Sequence, residues 1–392
     1  MEWVWLIFML IIGACVGSFL NVVIYRLPRG ESLLFPGSHC PSCGRAIRWY
    51  DNVPLLSWLM LRGRCRQCKT RISTRYPLIE AITAVLVAGL FACYYILEIR
   101  EGVGPWEDSW PMFVAHAALV CGLLACAMVD IDLWMIPLEV MWFCSLVGLV
   151  VWSANGPHPF LPAISPEVVG MSVAAGIGLA FSIWLVSRGF LLRSFADASD
   201  KPFLADEQTG EQAKSVAFTA ESGVNPRKEI LREALFLAPP VVLAFAFLGA
   251  LELLPALGRA WTGWLDPQGA HPTLAAHMLA GGAALFGYLI GGLWVWGIRI
   301  LGTLGFGKEA MGMGDVHILA AVGAVTGWTV PSLAFFVAPF FALLWALWLF
   351  LNRNQREMPY GPWLAVATLL VMLFYDGMAE MLQIYLALPA GN

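Results

Sequence analysis

Long apolar runs recur along the chain, each nearly free of charge, and they set the tightest limit on how it can fold. A bilayer core about 30 Å thick is crossed by about 20 apolar residues of helix. Stretches of that kind lie at 3–25, 76–97, 111–129, 138–155, 168–187, 234–251 and 274–298. The run from 316 to 351 is too long for one crossing. It is interrupted by Gly327 and Pro331, which predicts a short span and then a full one. A last span begins near 361. The expectation is an all-α polytopic membrane bundle of about ten spans. Composition agrees, since 59% of the 392 residues are hydrophobic and only 13% are charged. Soluble domains carry roughly a quarter charged residues, and one large dry core cannot absorb the difference because water-facing area still has to be covered. A soluble enzyme, a nucleic-acid binder and a disordered chain are excluded, and membrane lipid is the implied surrounding. Residues 3–25 show neither a basic n-region nor a small-residue cleavage site, which reads as a true span and not a signal peptide.

Loop charges orient the bundle. Between 26 and 75 lie ten Lys/Arg against Glu31 and Asp51, whereas the next loop holds Arg100 with Glu98, Glu101, Glu107 and Asp108. Positive-inside bias places 26–75 in the cytoplasm and the N-terminus outside. Alternation then puts 130–137, 188–233, 302–315 and 352–360 on the cytoplasmic side as well. The 188–233 stretch mixes seven basic with eight acidic residues, which predicts a solvating loop with one helix over 226–237. No internal repeat stands out.

Nine cysteines fall into two groups. Cys15, Cys93, Cys121, Cys126 and Cys144 stand singly in apolar spans, where a thiol acts as a small hydrophobe. Cys40-Pro-Ser-Cys43 and Cys65-Arg-Gln-Cys68 form two Cys-x-x-Cys knuckles separated by 21 residues. That spacing brings four thiolates to the corners of a tetrahedron, the arrangement zinc or another thiophilic metal prefers. A pair of disulfides is the competing reading, but it needs an oxidising compartment and the basic loop argues against one. Four Cys leave no open coordination position, so the metal is structural. It lets a loop of about fifty residues, too small for a good core, hold one shape as a zinc-ribbon-like domain.

Acids within or at the edge of spans are costly, so each is a candidate for function. Asp130 and Asp132 close the third span before Ile136-Pro137, and Met311-Gly312-Met313-Gly314-Asp315 opens the eighth on the same side. Two carboxylates that meet across a bundle share a proton. In that state one activates water while the other polarises a carbonyl. On a helix Asp130 and Asp132 point about 200° apart, so only one of them can face Asp315. Gly312 and Gly314 allow close backbone approach and an unusual turn beside the acid. The plain alternative is that all three acids sit in interfacial water.

The ordered motifs Gly17-Ser18-Phe19-Leu20-Asn21 through Tyr25-Arg26-Leu-Pro28, the tetracysteine loop, Arg75-Tyr76-Pro77-Leu-Ile-Glu80, Asp130 through Pro137, Gly312-x-Gly314-Asp315 and Pro359-Tyr360-Gly361-Pro362 resemble the type IV prepilin peptidases. The resemblance covers about 10–155 and 280–375. It implies a bifunctional enzyme of the bacterial inner membrane that cleaves prepilin and pseudopilin leaders after Gly at the cytoplasmic face. It also implies N-methylation of the new terminus from S-adenosylmethionine, and the tetracysteine loop accompanies the methylating members. Asp130 and Asp315 take the two catalytic positions, with Asp132 as an accompanying acid. Gly312, Gly314 and Pro137 are the supporting motif residues, and Cys40, Cys43, Cys65 and Cys68 the zinc ligands. Neither an oligomeric state nor an S-adenosylmethionine signature follows from the residues themselves.

The chain departs from the family pattern in three places. Leu138 follows Pro137 where the family often has Asp, and His317 stands where it usually has Lys. Residues 157–273 look inserted, with two spans, 168–187 and 234–251, so the orientation of Gly314-Asp315 is preserved. The expected organisation is therefore a first span over 1–25, the metal-binding domain over 26–75, spans carrying the first acid over 76–156, the insert over 157–273, and spans carrying the second acid over 274–392. A proton-coupled transporter and a scaffold without catalysis are the competing readings. The acids stand at span ends and the halves show no inverted symmetry, which argues against the first; intact Asp130 and Asp315 argue against the second.

Overall fold

The computed structural model describes residues 2–194, 226–353 and 358–386. They form twelve α-helices: α1 (Glu2–Arg26), α2 (Leu56–Met60), α3 (Arg75–Tyr95), α4 (Trp106–Leu133), α5 (Leu138–Asn155), α6 (Pro166–Ser187), α7 (Pro226–Leu253), α8 (Pro255–Trp264), α9 (Pro272–Phe306), α10 (Met313–Thr326), α11 (Thr329–Arg353) and α12 (Gly361–Leu386). Among the described residues there is no β-strand, only two isolated bridges in the tetracysteine loop. Nine of these helices are long and apolar enough to cross a bilayer, and α10 is a shorter apolar helix. The chain is a multi-pass membrane protein. Most of the 188–233 loop falls at 195–225, outside the described residues. The helix expected at 226–237 exists and runs on without a break into the following span as α7.

The helices fold as two units. The first comprises Met1–Met141 with Phe340–Asn392. In it α1 and α3 approach until their backbones nearly touch. A Cβ on Gly13 would lie 2.7 Å from the Cα of Ala84, and one on Gly17 would lie 2.7 Å from the Cα of Glu80. One turn further on, Asn21 donates from Nδ2 to the carbonyls of Gly17 (3.3 Å) and Tyr76 (3.1 Å). The stripe 13-17-21 thus runs against 84-80-76, an arrangement that van der Waals contact and interhelical hydrogen bonds favour inside a bilayer. Towards the far ends of α3 and α4, Phe91, Tyr95, Trp106 and Phe113 pack pairwise with ring centroids 5.0–6.0 Å apart.

The second unit is Trp142–Pro339. Here α10, about 21 Å long at 1.5 Å per residue, is too short to cross a bilayer and is enclosed by protein: Leu319, Ala321, Val322, Ala324 and Val325 are fully buried. Its partner α9 meets it through Gly287 and Gly291. A Cβ on Gly291 would fall 2.0 Å from the Leu319 carbonyl oxygen. The short helix ends at Gly327, whose φ of 77° only glycine adopts freely. There the Val325 carbonyl accepts from Trp152 Nε1 at 2.8 Å. The break predicted at Gly327 is where the structure has it.

Prolines inside α7 show how a span tolerates them. Pro239 and Pro240 lack N–H groups, so the carbonyls four residues earlier lose their helical donors. One of these, Phe236, accepts instead from the Ser182 hydroxyl of α6 at 2.7 Å. Gly178 lets the two backbones approach, since a Cβ there would lie 2.5 Å from the Pro240 Cα. The freed Phe236 carbonyl is thus met inside the protein, as lipid favours.

Close backbone approach makes a testable distinction within α9. Gly291→Ala should destabilise the protein by about 1–3 kcal/mol through overpacking. Gly297→Ala, which meets nothing within 4 Å, should be neutral or slightly stabilising. Thermal unfolding in detergent compares the two, and equal melting temperatures would refute the seam.

Candidate functional site

Asp130 and Asp315 lie in different units, and each owes its setting to its own neighbours. Asp130, 7% exposed, stands in the last turn of α4. The helix stops because Trp134 turns left-handed (φ 57°, ψ 35°), its N–H closing on the Asp130 carbonyl, and Pro137 ends the connection to α5. The Asp130 carboxylate accepts at 3.0 Å from the Gly361 N–H, the first residue of α12. The start of a helix has unpaired N–H groups, and Pro362, lacking one, suits the first turn. The Pro359-Tyr360-Gly361-Pro362 motif therefore has a local reason: it aims a backbone donor at Asp130.

Asp132 points elsewhere, as its offset on the helix requires. It pairs with Arg75 at the start of α3, both side chains over a third exposed. Its charge is engaged at the periphery while that of Asp130 is drawn inside.

Asp315 is 6% exposed and occupies the third position of α10, whose N-cap is Gly312. Gly312 has ordinary extended backbone (φ −69°, ψ 146°), so the unusual turn expected at the glycines does not occur there. A Cβ on Gly312 would sit 3.6 Å from Asp315 Oδ2, an ordinary van der Waals distance. Gly314 is the second residue of the helix. His317, one turn beyond Gly314, lies edge-on to Trp142 with centroids 6.1 Å apart.

The four loop cysteines come together. Their sulfurs all lie within 4.8 Å of one another, and those of Cys40 and Cys68 are 3.7 Å apart. A disulfide needs about 2.05 Å, whereas four sulfurs at about 2.3 Å from a central ion stand about 3.8 Å from each other. The two knuckles share one backbone design. Cys40 N–H bonds the Arg45 carbonyl and Gly44 N–H the Cys40 carbonyl; Cys65 N–H bonds the Thr70 carbonyl and Lys69 N–H the Cys65 carbonyl. Each turn closes with a left-handed residue, Gly44 (φ 67°) or Lys69 (φ 59°), and an antiparallel bridge, His39 with Ala46 or Arg64 with Arg71. This is an internal repeat that the residue identities do not announce.

Electrostatics at the cluster suit a cation. The Thr70 side chain, followed by its backbone N–H, holds the Cys68 thiol down at about 6. Backbone N–H groups of Cys43 and Ser42 hold Cys40 below the usual thiol range. Cys43 is favoured as thiolate by the Arg45 N–H, yet desolvation and the Cys40 and Cys68 sulfurs push it up to about 11. Four crowded thiolates cannot all ionise against each other, and a metal ion at their centre removes that conflict. The cluster can hold a metal ion.

The rest of the loop is tied to the bundle. Glu80 of α3 accepts the Leu55 N–H at 2.7 Å, and Asp51 holds Arg66 with two oxygens at 2.6–3.1 Å. Hydrogen bonding from Arg66 keeps the Asp51 carboxyl below the ordinary carboxylate range.

With this geometry in hand, known proteins can be compared. A family model described as "Bacterial Peptidase A24 N-terminal domain" matches residues 11–94. The prepilin leader peptidase/N-methyltransferase of Burkholderia pseudomallei (strain 1026b) is 31% identical over 310 residues, which cover 72% of this chain and 85% of that protein. The chain belongs to the prepilin leader peptidase/N-methyltransferase family.

A Pseudomonas aeruginosa member of the family is 24% identical over 393 residues, 94% of this chain and 89% of its own. A Myxococcus xanthus member is 41% identical over 164 residues, 42% of this chain and 45% of its own. In several of the curated relatives it matches, the chain spans about half of their length. No solved structure matches. The matched N-terminal family segment contains the 13-17-21 stripe, the cysteines and Glu80. Sequence reasoning quoted Gly17, Asn21, Arg75 and Glu80 as motif letters without a task. The structure supplies one for each: close approach, interhelical hydrogen bonding, pairing with Asp132, and holding the loop.

The cysteine geometry predicts about one metal ion per purified chain. The double variant Cys43→Ser/Cys68→Ser should lose it while the protein remains in the membrane fraction. Elemental analysis after exhaustive dialysis decides, and a metal-free wild type that keeps its loop protected from protease would refute the metal-held design.

Proposed function

We propose that this chain is a membrane aspartic endopeptidase. On this reading it removes the leader peptides of type IV prepilins and pseudopilins after Gly at the cytoplasmic face of the bacterial inner membrane, and N-methylates the new N-terminus. One observation carries the reading. In a chain of this family, two carboxylates from separate apolar helices, Asp130 and Asp315, are both more than nine-tenths buried at helix ends. Curated relatives bear both activities in their names.

The chemistry proceeds from the acids. On this reading one acid works ionised and the other protonated, the division of labour of an aspartic peptidase. The ionised carboxylate takes a proton from water as the oxygen attacks the scissile carbonyl, and the protonated one donates to the carbonyl oxygen. Collapse of the tetrahedral intermediate returns a proton to the leaving amine and breaks the C–N bond. The Gly361 N–H orients Asp130, and Arg75 draws Asp132 away from the work. A prepilin brings a hydrophobic helix that lies in the bilayer with its cleavage site at the edge, the depth of the two acids under the positive-inside orientation.

Zinc suits the four thiolates of Cys40, Cys43, Cys65 and Cys68, where it serves shape and no chemical step. S-adenosylmethionine would supply an electrophilic methyl group to the new amine. Among the described residues no strand leads through a glycine-rich turn into a helix, and no residue here is given that role.

In a cleavage assay on a purified prepilin, Asp130→Asn and Asp315→Asn should each lower the rate by about a thousandfold or more, as loss of an essential acid–base group does. Asp132→Asn should stay within about tenfold of wild type. Cleavage that survives Asp315→Asn would sink the dyad and reopen the transporter and scaffold readings. Mass spectrometry of the wild-type product tests the second activity: the mature N-terminus should carry one added methyl, and an unmodified terminus in the presence of S-adenosylmethionine would remove methylation from the proposal.

A further inference from the structure

Arg299 is 2% exposed near the end of α9 and is held within the second unit. Its Nε donates to Glu233 Oε1 at 2.7 Å, and its Nη1 donates to the Met311 carbonyl at 2.5 Å and to Glu309. Glu233, 3% exposed, lies on α7 and also accepts from Trp296 Nε1 at 3.2 Å and from the Ser194 hydroxyl at 3.0 Å. The charges of 226–233 were expected only to solvate a loop. Glu233 is instead buried, and it faces an arginine 66 residues away. A buried ion pair is favourable only when its geometry is good and its remaining polar atoms are bonded. Both partners of this pair carry such further bonds.

What the pair holds is the approach to Asp315. Met311 directly precedes Gly312, the N-cap of α10, and Asp315 follows in the first turn. Between α9 and α10 the chain passes through Gly307 in a left-handed conformation (φ 71°). Glu309 and Met311, both on that connection, end on one guanidinium. A planar guanidinium offers several donors in a fixed fork, which an ammonium cannot copy.

We infer that Arg299 is a positioning residue for Asp315, and that the inserted segment 157–273 takes part through Glu233. Glu233 holds the guanidinium in place, and the guanidinium sets where the connection ends and α10 begins. The Asp315 carboxylate is thereby fixed in depth and direction. This rests on the reading of Asp315 as a catalytic acid. The insert is then no passive addition, because its second helix supplies the buried carboxylate that holds Nε, while Glu309 meets the guanidinium at Nη1.

The test is steady-state cleavage of a purified prepilin by the full chain in detergent. It compares wild type, Arg299→Lys, Glu309→Gln and Asp315→Asn. Arg299→Lys keeps a cation for Glu233 and should remain monodisperse. Its kcat should fall about tenfold to a hundredfold, as small misplacements of a catalytic group do, with KM within twofold. Glu309→Gln leaves the Arg299–Glu233 pair intact and should lower kcat about threefold, again at constant KM. A merely structural role would reduce yield and melting temperature while leaving kcat per folded molecule unchanged. Folded Arg299→Lys with kcat within twofold of wild type overturns the inference. If Arg299→Lys does not accumulate, Glu309→Gln decides alone, and an unchanged kcat there is the overturning result. Cleavage that persists in Asp315→Asn overturns the functional reading and this inference together, whereas a dead Asp315→Asn beside a normal Arg299→Lys overturns this inference only.

Discussion

Helices surrounded by lipid gain little from burying one more apolar side chain against each other, because the alternative neighbour is equally apolar. What joins them is the approach of one backbone to another, and this chain achieves it with glycine. Gly13 and Gly17 admit α3 to α1, Gly178 admits α7 to α6, and Gly291 brings α9 against α10. Asp315 stands on a helix whose placement depends on such a seam. The short α10 needs its seam most, since it is too short to be held by its own passage through a bilayer.

The second organising constraint is that a charge drawn into this setting must be met by the fold itself. Asp130 is met by the first N–H of α12, and Arg299 by Glu233, Glu309 and a carbonyl. The Asp130 donor comes from a sequence stretch more than two hundred residues away. Groups so held have few ways to reorient, which is the preorganisation that acid–base chemistry requires. Asp132, two residues from Asp130, shows the contrast. It keeps over a third of its side chain in the open and pairs with an equally exposed arginine.

Much of this was legible beforehand. Span positions follow from run length and charge, so α3, α5 and α6 begin and end within two residues of expectation. The convergence of the four cysteines follows from their ligand spacing, and the divergence of Asp130 and Asp132 from helical periodicity alone. The illegible parts share a cause: their partners are distant in sequence or lie in backbone conformation. Nothing local marks Glu233 as the counter-ion of Arg299, and its mixed-charge surroundings suggest solvation. The repeated knuckle design is hidden because Gly44 and Lys69 reach the same left-handed geometry with unlike side chains. Gly312 misled in the other direction. Its backbone is ordinary, and a Cβ there would meet the Asp315 carboxylate only at van der Waals distance.

The twinned knuckles bear on how the loop would behave around a bound ion. Each hairpin is closed by its own main-chain hydrogen bonds, between Cys40 and Arg45 in one and Cys65 and Thr70 in the other. An ion held by the four thiolates would therefore be a clasp between two finished pieces and not the core of either. Its departure would uncouple them and leave each turn folded, with the Leu55–Glu80 bond keeping the loop moored to α3.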